Sequence, residues 1–168
     1  RGATVILACR NMEKANEAIK KIREETKAGE MIPIELDLAS FESIHAFVNL
    51  IKEKFPKFEC LINNAGLAVV TEQATKEGIE LHTGTNHIGP FLLTNLLMEN
   101  IKMNKSKIVI VSSKAHERAV LTKVDDLGEF DKGSKHIAAN APYMKSKLMN
   151  FYFAKELYKR GVDVHVCC

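Results

Sequence analysis

The chain has 168 residues, 46% apolar and 27% charged, the make-up of one globular domain with a full core and not of a disordered chain. Its 24 basic and 21 acidic residues are spread along the length for a formal charge of +3, and that mixed surface argues against a nucleic-acid face. No run approaches the roughly 18 uninterrupted apolar residues of a membrane span, and the opening RGATVILACR lacks the layout of a signal peptide.

Short apolar runs alternate with segments of helical period. TVILAC (4–9) reads as a strand; Ala15, Ala18, Ile19 and Ile22 then repeat at helical spacing, with Asn11 as N-cap and Gly29 as stop. IPIELDL (32–38) is a second strand, followed by a helix over 41–55 with Ile44, Phe47, Val48 and Ile51 on one stripe and Pro56 closing it. ECLIN (59–63) runs into the turn NNAG, and a long helical stretch interrupted at Gly89-Pro90 leads to the strand KIVIV (107–111) and its VSS end. APYMKSKLMNFYFAKELYKRG (141–161) is helical, with Leu148, Phe151, Tyr152 and Leu157 as its apolar stripe, and VDVHV (162–166) is the fifth strand. Continuous β-branched strands between helices predict a parallel sheet covered on both faces. Cys9, Cys60, Cys167 and Cys168 lack metal-ligand spacing, so neither a metal nor a disulfide framework is expected; three of them are expected to pack as small hydrophobes, which suits a reducing compartment.

Both ends look cut. Gly2 resembles the cap of a preceding helix, and the chain stops just after VHVCC. A fragment is expected.

Tyr143 and Lys147 stand four residues apart, one helical turn, so both emerge on one face with the ammonium near the phenol. Alone, such a pair is also compatible with a solvated helix surface. Three further features fall at the carboxyl ends of expected strands, where open α/β sheets bind ligands: Asp37, the NNAG turn and the VSS serines. Each also reads as an Asx motif, a turn or an N-cap.

The ordered set ACRN, LDLAS, LINNAG, TNHIGPFLLTNLL, IVIVSS and YMKSK resembles the short-chain dehydrogenase/reductases, in the retinol dehydrogenase-like and WW-domain oxidoreductase-like branch. Essentially the whole chain takes part. The resemblance implies an incomplete α/β, Rossmann-like doubly wound parallel sheet, with residues 1–168 forming one partial dinucleotide-binding domain that lacks the first strand-helix unit, its glycine-rich phosphate loop and the C-terminal strand and helices. In the strand order 3-2-1-4-5-6 the missing strand is the central one, so this segment alone is expected neither to fold stably nor to turn over substrate.

The roles implied are specific. Tyr143 is the general acid/base, and because a phenol titrates near 10 when unperturbed, Lys147 and an oxidised nicotinamide favour its phenolate. Lys147 also holds the nicotinamide ribose. Ser113 orients the reacting oxygen, with Ser112 as the competing choice, and Asn86 lies where a water links the lysine to solvent, at a helix irregularity announced by Gly84 and Gly89. His87 is read as structural. Asp37 and Leu38 resemble the adenine-pocket pair, and Asn64, Ala65 and Gly66 the turn beside the adenosine ribose. Arg10 stands where NAD-preferring relatives carry an acid, which favours NADP over NAD because a guanidinium matches a 2′-phosphate in charge and geometry. The implied partner is a small hydrophobic alcohol or carbonyl (retinoid, steroid or long-chain aldehyde), with LTKVDDLGEF (121–130) at the pocket rim. A homo-oligomer through the tyrosine helix and the 90–103 segment is compatible with the resemblance, as is a cytoplasmic-side location, soluble or held by an upstream membrane anchor. A non-catalytic relative or truncated product that binds nucleotide or a protein partner is the alternative.

Overall fold

A computed structural model describes residues 2–69, 73–121 and 141–168. Its strands are β1 (Thr4–Cys9), β2 (Glu30–Glu35), β3 (Cys60–Asn63), β4 (Lys107–Val111) and β5 (Val164–Cys167). The helices are α1 (Met12–Glu25), α2 (Phe41–Lys54), α3 (Leu81–Thr83), α4 (Gly89–Leu96), α5 (Met98–Asn104) and α6 (Ala141–Lys159), with a π-turn at Gly84–Ile88 and a 3-10 turn at Lys114–Arg118. Local chemistry starts two of the helices: the Asn11 side chain, the expected cap, accepts a hydrogen bond from Lys14 N (2.9 Å), and Ser40 Oγ accepts one from Ser43 N (3.3 Å). The α2 stripe of Ile44, Phe47, Val48 and Ile51 is buried as a unit.

All strand pairs are parallel, so within each ladder the carboxyl ends lie at one edge. They form two groups, β1–β2 with Ile6 opposite Ile32, and β3–β4–β5 with Ile62 opposite Val109. Among the described residues no ladder joins β1 to β3. Val5 and Ile62, on those two strands, are 48% and 60% exposed. This is an incomplete Rossmann-like sheet with the central position unfilled.

Helices hold the halves together. Leu36, Ile44, Phe47, Val48 and Ile51 from the first half share one core with Leu93, Leu97 and Ile101 of α4–α5, Ile108 and Ile110 of β4, and Phe153 and Leu157 of α6. A hairpin adds backbone ties: Ala74 bridges Glu80, Lys76 N donates to Ala39 O (3.2 Å), and Phe41 N donates to Glu77 Oε1 (2.7 Å).

Three expectations are corrected. The second strand spans Glu30–Glu35, because after Leu36, whose N–H still donates to Cys9 O (3.1 Å), the chain leaves the ladder at Asp37 to form the turn that caps α2. On α6 the buried face is Ser146, Lys147, Met149, Asn150, Phe153, Ala154 and Leu157, while Phe151 and Tyr152 are exposed; Met149, Phe153 and Ala154 pack inward with Leu157 in place of the two aromatics, beside polar side chains that find buried partners. The thiols do not pack as core residues: Cys60, Cys167 and Cys168 are exposed and Cys9 is half-buried. Cys60 shares an uncovered strand face with Ile62.

Gly89 marks a tight joint between the halves, because a Cβ built on it would collide with the Leu38 carbonyl oxygen. Alanine is ordinarily the better helix residue by about 1 kcal/mol, yet here the collision decides the sign. Gly89→Ala in the full-length protein is expected to destabilise it by about 1–3 kcal/mol, read as a lowered denaturant midpoint at unchanged slope.

Candidate active site

The site is built on α6. Tyr143 and Lys147 do lie on one face, with Lys147 Nζ 5.8 Å from the centroid of the Tyr143 ring, within cation–π range. The Lys147 side chain runs inward, leaving the residue 4% exposed, and its Nζ donates to Val111 O at the end of β4 (3.1 Å). Burial pushes this ammonium below its ordinary pKa, opposed by the charge at Cys168. The Lys147 carbonyl oxygen accepts from Ser112 Oγ (2.9 Å). The end of β4 and one residue of α6 are thus stitched together in both directions.

A second stitch comes from the π-turn, the irregularity expected between Gly84 and Gly89. Asn86 is fully buried there. Its Oδ1 accepts from Leu67 N (2.8 Å), and its Nδ2 donates to Leu67 O (3.0 Å) and Ser146 Oγ (3.1 Å). Ser146 Oγ donates in turn to Tyr143 O (2.7 Å), and Asn150 Nδ2 donates to Asn86 O (2.9 Å). Asn86 is therefore a strut between α6 and the segment after β3. With Asn150 Oδ1 left as the acceptor, the His87 ring donates to it through Nδ1 (3.0 Å) and packs against Phe91 and Phe153. Burial pushes the His87 imidazole below its ordinary pKa, with the bond to Asn150 opposing, as suits a structural histidine.

The two serines divide the work. Ser112 is buried and spent on α6, whereas Ser113 is half-buried, caps the 3-10 turn by accepting from Ala115 N (3.2 Å), and donates its hydroxyl proton to no other described residue. α6 packs against that turn.

Gly66 brings the NNAG turn to the same place: a Cβ on it would stand 3.2 Å from Lys147 Nζ and 3.5 Å from Asn86 Oδ1. Asn64 and Ala65 are exposed beside it. Arg10 is exposed directly after β1. Asp37 forms the Asx turn that was its alternative reading, Oδ1 accepting from Ala39 N (2.9 Å), while its own N–H donates to Ser43 Oγ (2.9 Å); Leu38 packs against the core. The structure thus gathers Tyr143, Lys147, Asn86 and Gly66, with Ser113 on the adjoining turn, and sets Arg10, Asp37 and Leu38 at the carboxyl end of the other strand pair. Of the expected pocket rim only Leu121 is described; 122–130 lie outside the described residues. Ser146 and Asn150 were missed from sequence, although Tyr143, Ser146, Lys147 and Asn150 form a polar stripe at helical spacing that would have found them. Glu80 and His82 were missed as well.

Fold and site together define a Rossmann-like α/β protein with a tyrosine-lysine helix laid against the strand ends. The family described as short chain dehydrogenase matches residues 1–124, and the chain belongs to it. Retinol dehydrogenase 13 of Homo sapiens is 40% identical over 170 residues, covering 98% of this chain and 50% of that protein. Retinol dehydrogenase 14 of Homo sapiens is 38% identical over 181 residues, covering 98% and 52%. The chain therefore spans about half the length of the relatives it matches. Among solved structures, an uncharacterised protein from Mycobacterium paratuberculosis superposes with a TM-score of 0.75 at 33% identity, covering 98% of this chain and 57% of that one. A metagenomic short-chain oxidoreductase in complex with NADP shares the fold, with a TM-score of 0.70 at 23% identity, covering 97% and 69%.

The division between the serines is testable by stability. In the full-length protein Ser112→Ala is expected to cost about 1–3 kcal/mol, since it leaves the buried Lys147 carbonyl without that donor. Ser113→Ala is expected to stay within about 0.5 kcal/mol of the parent, both read by urea denaturation.

Proposed function

We propose that the protein of which this chain is part is an NADP-dependent oxidoreductase acting on the CH–OH or carbonyl group of a hydrophobic substrate of the retinoid, steroid or long-chain aldehyde class. The observation that carries this reading is the Lys147 ammonium, held inside the protein at Val111 O and within 5.8 Å of the Tyr143 ring centroid. An ammonium costs free energy to bury, and a phenol used as a base gains from one held so near.

The residues present fit a dinucleotide. Arg10 offers an exposed guanidinium with no described partner, Asp37 and Leu38 shape the turn beside it, and a glycine at position 66 keeps the backbone bare where it meets Lys147. Arg10 would hold the 2′-phosphate, Asp37, Leu38 and the 64–66 turn the adenosine, and Lys147 the nicotinamide ribose. When bound, the nicotinamide supplies the place to which hydride goes or from which it comes. The chain's own residues handle the proton: Tyr143 carries it at the phenolic oxygen, Lys147 favours the phenolate, and the Ser113 hydroxyl, which donates to no described residue, orients the reacting oxygen. Asn86 keeps α6 in register with the 64–67 turn through Ser146 and Leu67.

The retinol dehydrogenase names of the relatives support the substrate class. Exposed Phe91, Phe151 and Tyr152 on α4 and α6 support a homo-oligomeric contact. No described helix is long and apolar enough to cross a membrane. With no ladder joining β1 to β3 among the described residues, we hold that the 168-residue segment is one part of a single domain and is inactive by itself.

Two measurements on the full-length protein test the reading. Tyr143→Phe is expected to keep quenching of NADPH fluorescence on titration while turnover of retinal falls by about 10²- to 10⁴-fold; equal turnover would remove Tyr143 from the mechanism, and NADPH binding with no turnover even in the parent would favour the non-catalytic alternative. Arg10→Ala is expected to raise KM for NADP on the order of 10- to 100-fold, the worth of a charge-assisted hydrogen bond, and to leave KM for NAD nearly unchanged.

A further inference from the structure

Glu80 and His82 lie one turn ahead of the π-turn, and each is only 3% exposed. The Glu80 carboxylate is fully occupied: Oε1 accepts from His82 N (2.8 Å) and faces His82 Nδ1 (2.6 Å), while Oε2 accepts from Thr83 N (2.8 Å). Burial alone would raise its pKa, but the hydrogen bonds from the His82 ring, the backbone N–H groups of His82 and Thr83 and the Thr83 hydroxyl hold it below the ordinary range. On the far side of the imidazole, Nε2 accepts from Val69 N (3.0 Å). A nitrogen that accepts an N–H carries no proton of its own, so the ring proton sits on Nδ1 and points at Glu80.

This assignment decides what the pair can do. Both ring nitrogens are committed, so His82 has neither a lone pair nor a proton to offer Tyr143 or a substrate. Its ring instead meets the Tyr143 ring edge to face, with centroids 6.3 Å apart and planes at 76°. Two residues before Val69, Leu67 is gripped through both its N–H and its carbonyl by Asn86, and Gly66 abuts Lys147 Nζ. The chain leaving β3 is thus fastened three times in succession beside the phenol: at Gly66 by contact, at Leu67 by Asn86 and at Val69 by His82.

We propose that Glu80 and His82 are positioning residues for the reaction at Tyr143, Glu80 holding the imidazole so that Nε2 fixes the 67–69 segment beside the phenol. The proposal rests on the reading that Tyr143 carries the proton. It assigns the pair no proton transfer. An ordinary core histidine would be replaceable by any side chain that preserved stability; a positioning histidine needs an acceptor at the Nε2 position.

Two variants of the full-length protein separate those roles. His82→Asn keeps a polar group where Nδ1 meets Glu80 but has no atom at Nε2, and His82→Gln reaches the Nε2 position with an amide oxygen. Hydrogen–deuterium exchange of the Val69 amide and steady-state kinetics with NADPH and retinal are read on both. In His82→Asn we expect Val69 exchange to quicken at least 10-fold and kcat to fall about 10-fold with KM for NADPH within 2-fold of the parent; His82→Gln restores both. Parent-like exchange in His82→Asn overturns the clamp, whether or not the parent turns over substrate. Faster exchange with parent-like kcat overturns the positioning role, as does a His82→Gln variant as impaired as His82→Asn. A parent with no turnover of any carbonyl instead removes the proposed function, while the exchange result still decides the clamp.

Discussion

Lys147 sends a cationic side chain into the protein, and most of the site follows from how that is made tolerable. A buried ammonium is costly unless it is hydrogen-bonded, and here the partner is the Val111 carbonyl at the end of β4. Reaching it draws α6 against the strand end, and Ser112 closes the same joint from the strand side by donating to the Lys147 carbonyl. Tyr143, one turn earlier on the helix, is carried into place by that joint. The position of the phenol is therefore a consequence of where the lysine finds its acceptor.

The π-turn supplies what a regular helix would not. Widening one turn at Gly84–Ile88 lets Asn86 reach both Leu67 and Ser146, while its own carbonyl takes Asn150. Helix and loop are thus held by side-chain bonds that leave neither free to slide. The buried Glu80–His82 pair extends the same logic to Val69. A cluster of polar groups out of water is stabilising only when its members are satisfied, and among the described residues Thr85 Oγ1 is the buried side-chain oxygen left without a partner.

The sheet itself contributes less to joining the two ends of the site. β1–β2 and β3–β4–β5 are separate ladders, and what aligns them is α2 on α4, Gly89 against Leu38, and the hairpin that bonds Ala39 and Phe41. Arg10 and Asp37 are thereby tied to Tyr143 and Lys147 through helix packing across a shared core.

Local patterns were enough for much of this. The alternation of strands and helices, the cap at Asn11, the α2 stripe and the shared face of Tyr143 and Lys147 are all written in spacings of two to four residues, and parallel pairing then carries the strand-end residues of each ladder to one edge. Tertiary structure decided which face of α6 turns inward, that Ser112 is spent while Ser113 is not, that Asn86 is a strut, and that His82 grips Val69. Those outcomes depend on partners 13 to 64 residues away in the chain, and no local period encodes a hydrogen bond across such a distance. On α6 the two levels conflicted: the apolar stripe through Phe151 and Tyr152 pointed one way, and the buried bonds of Ser146, Lys147 and Asn150 turned the helix the other. That face prevailed because it buries Met149, Phe153, Ala154 and Leu157 while each polar side chain among them finds a hydrogen-bond partner, at the expense of leaving two aromatic rings partly in water.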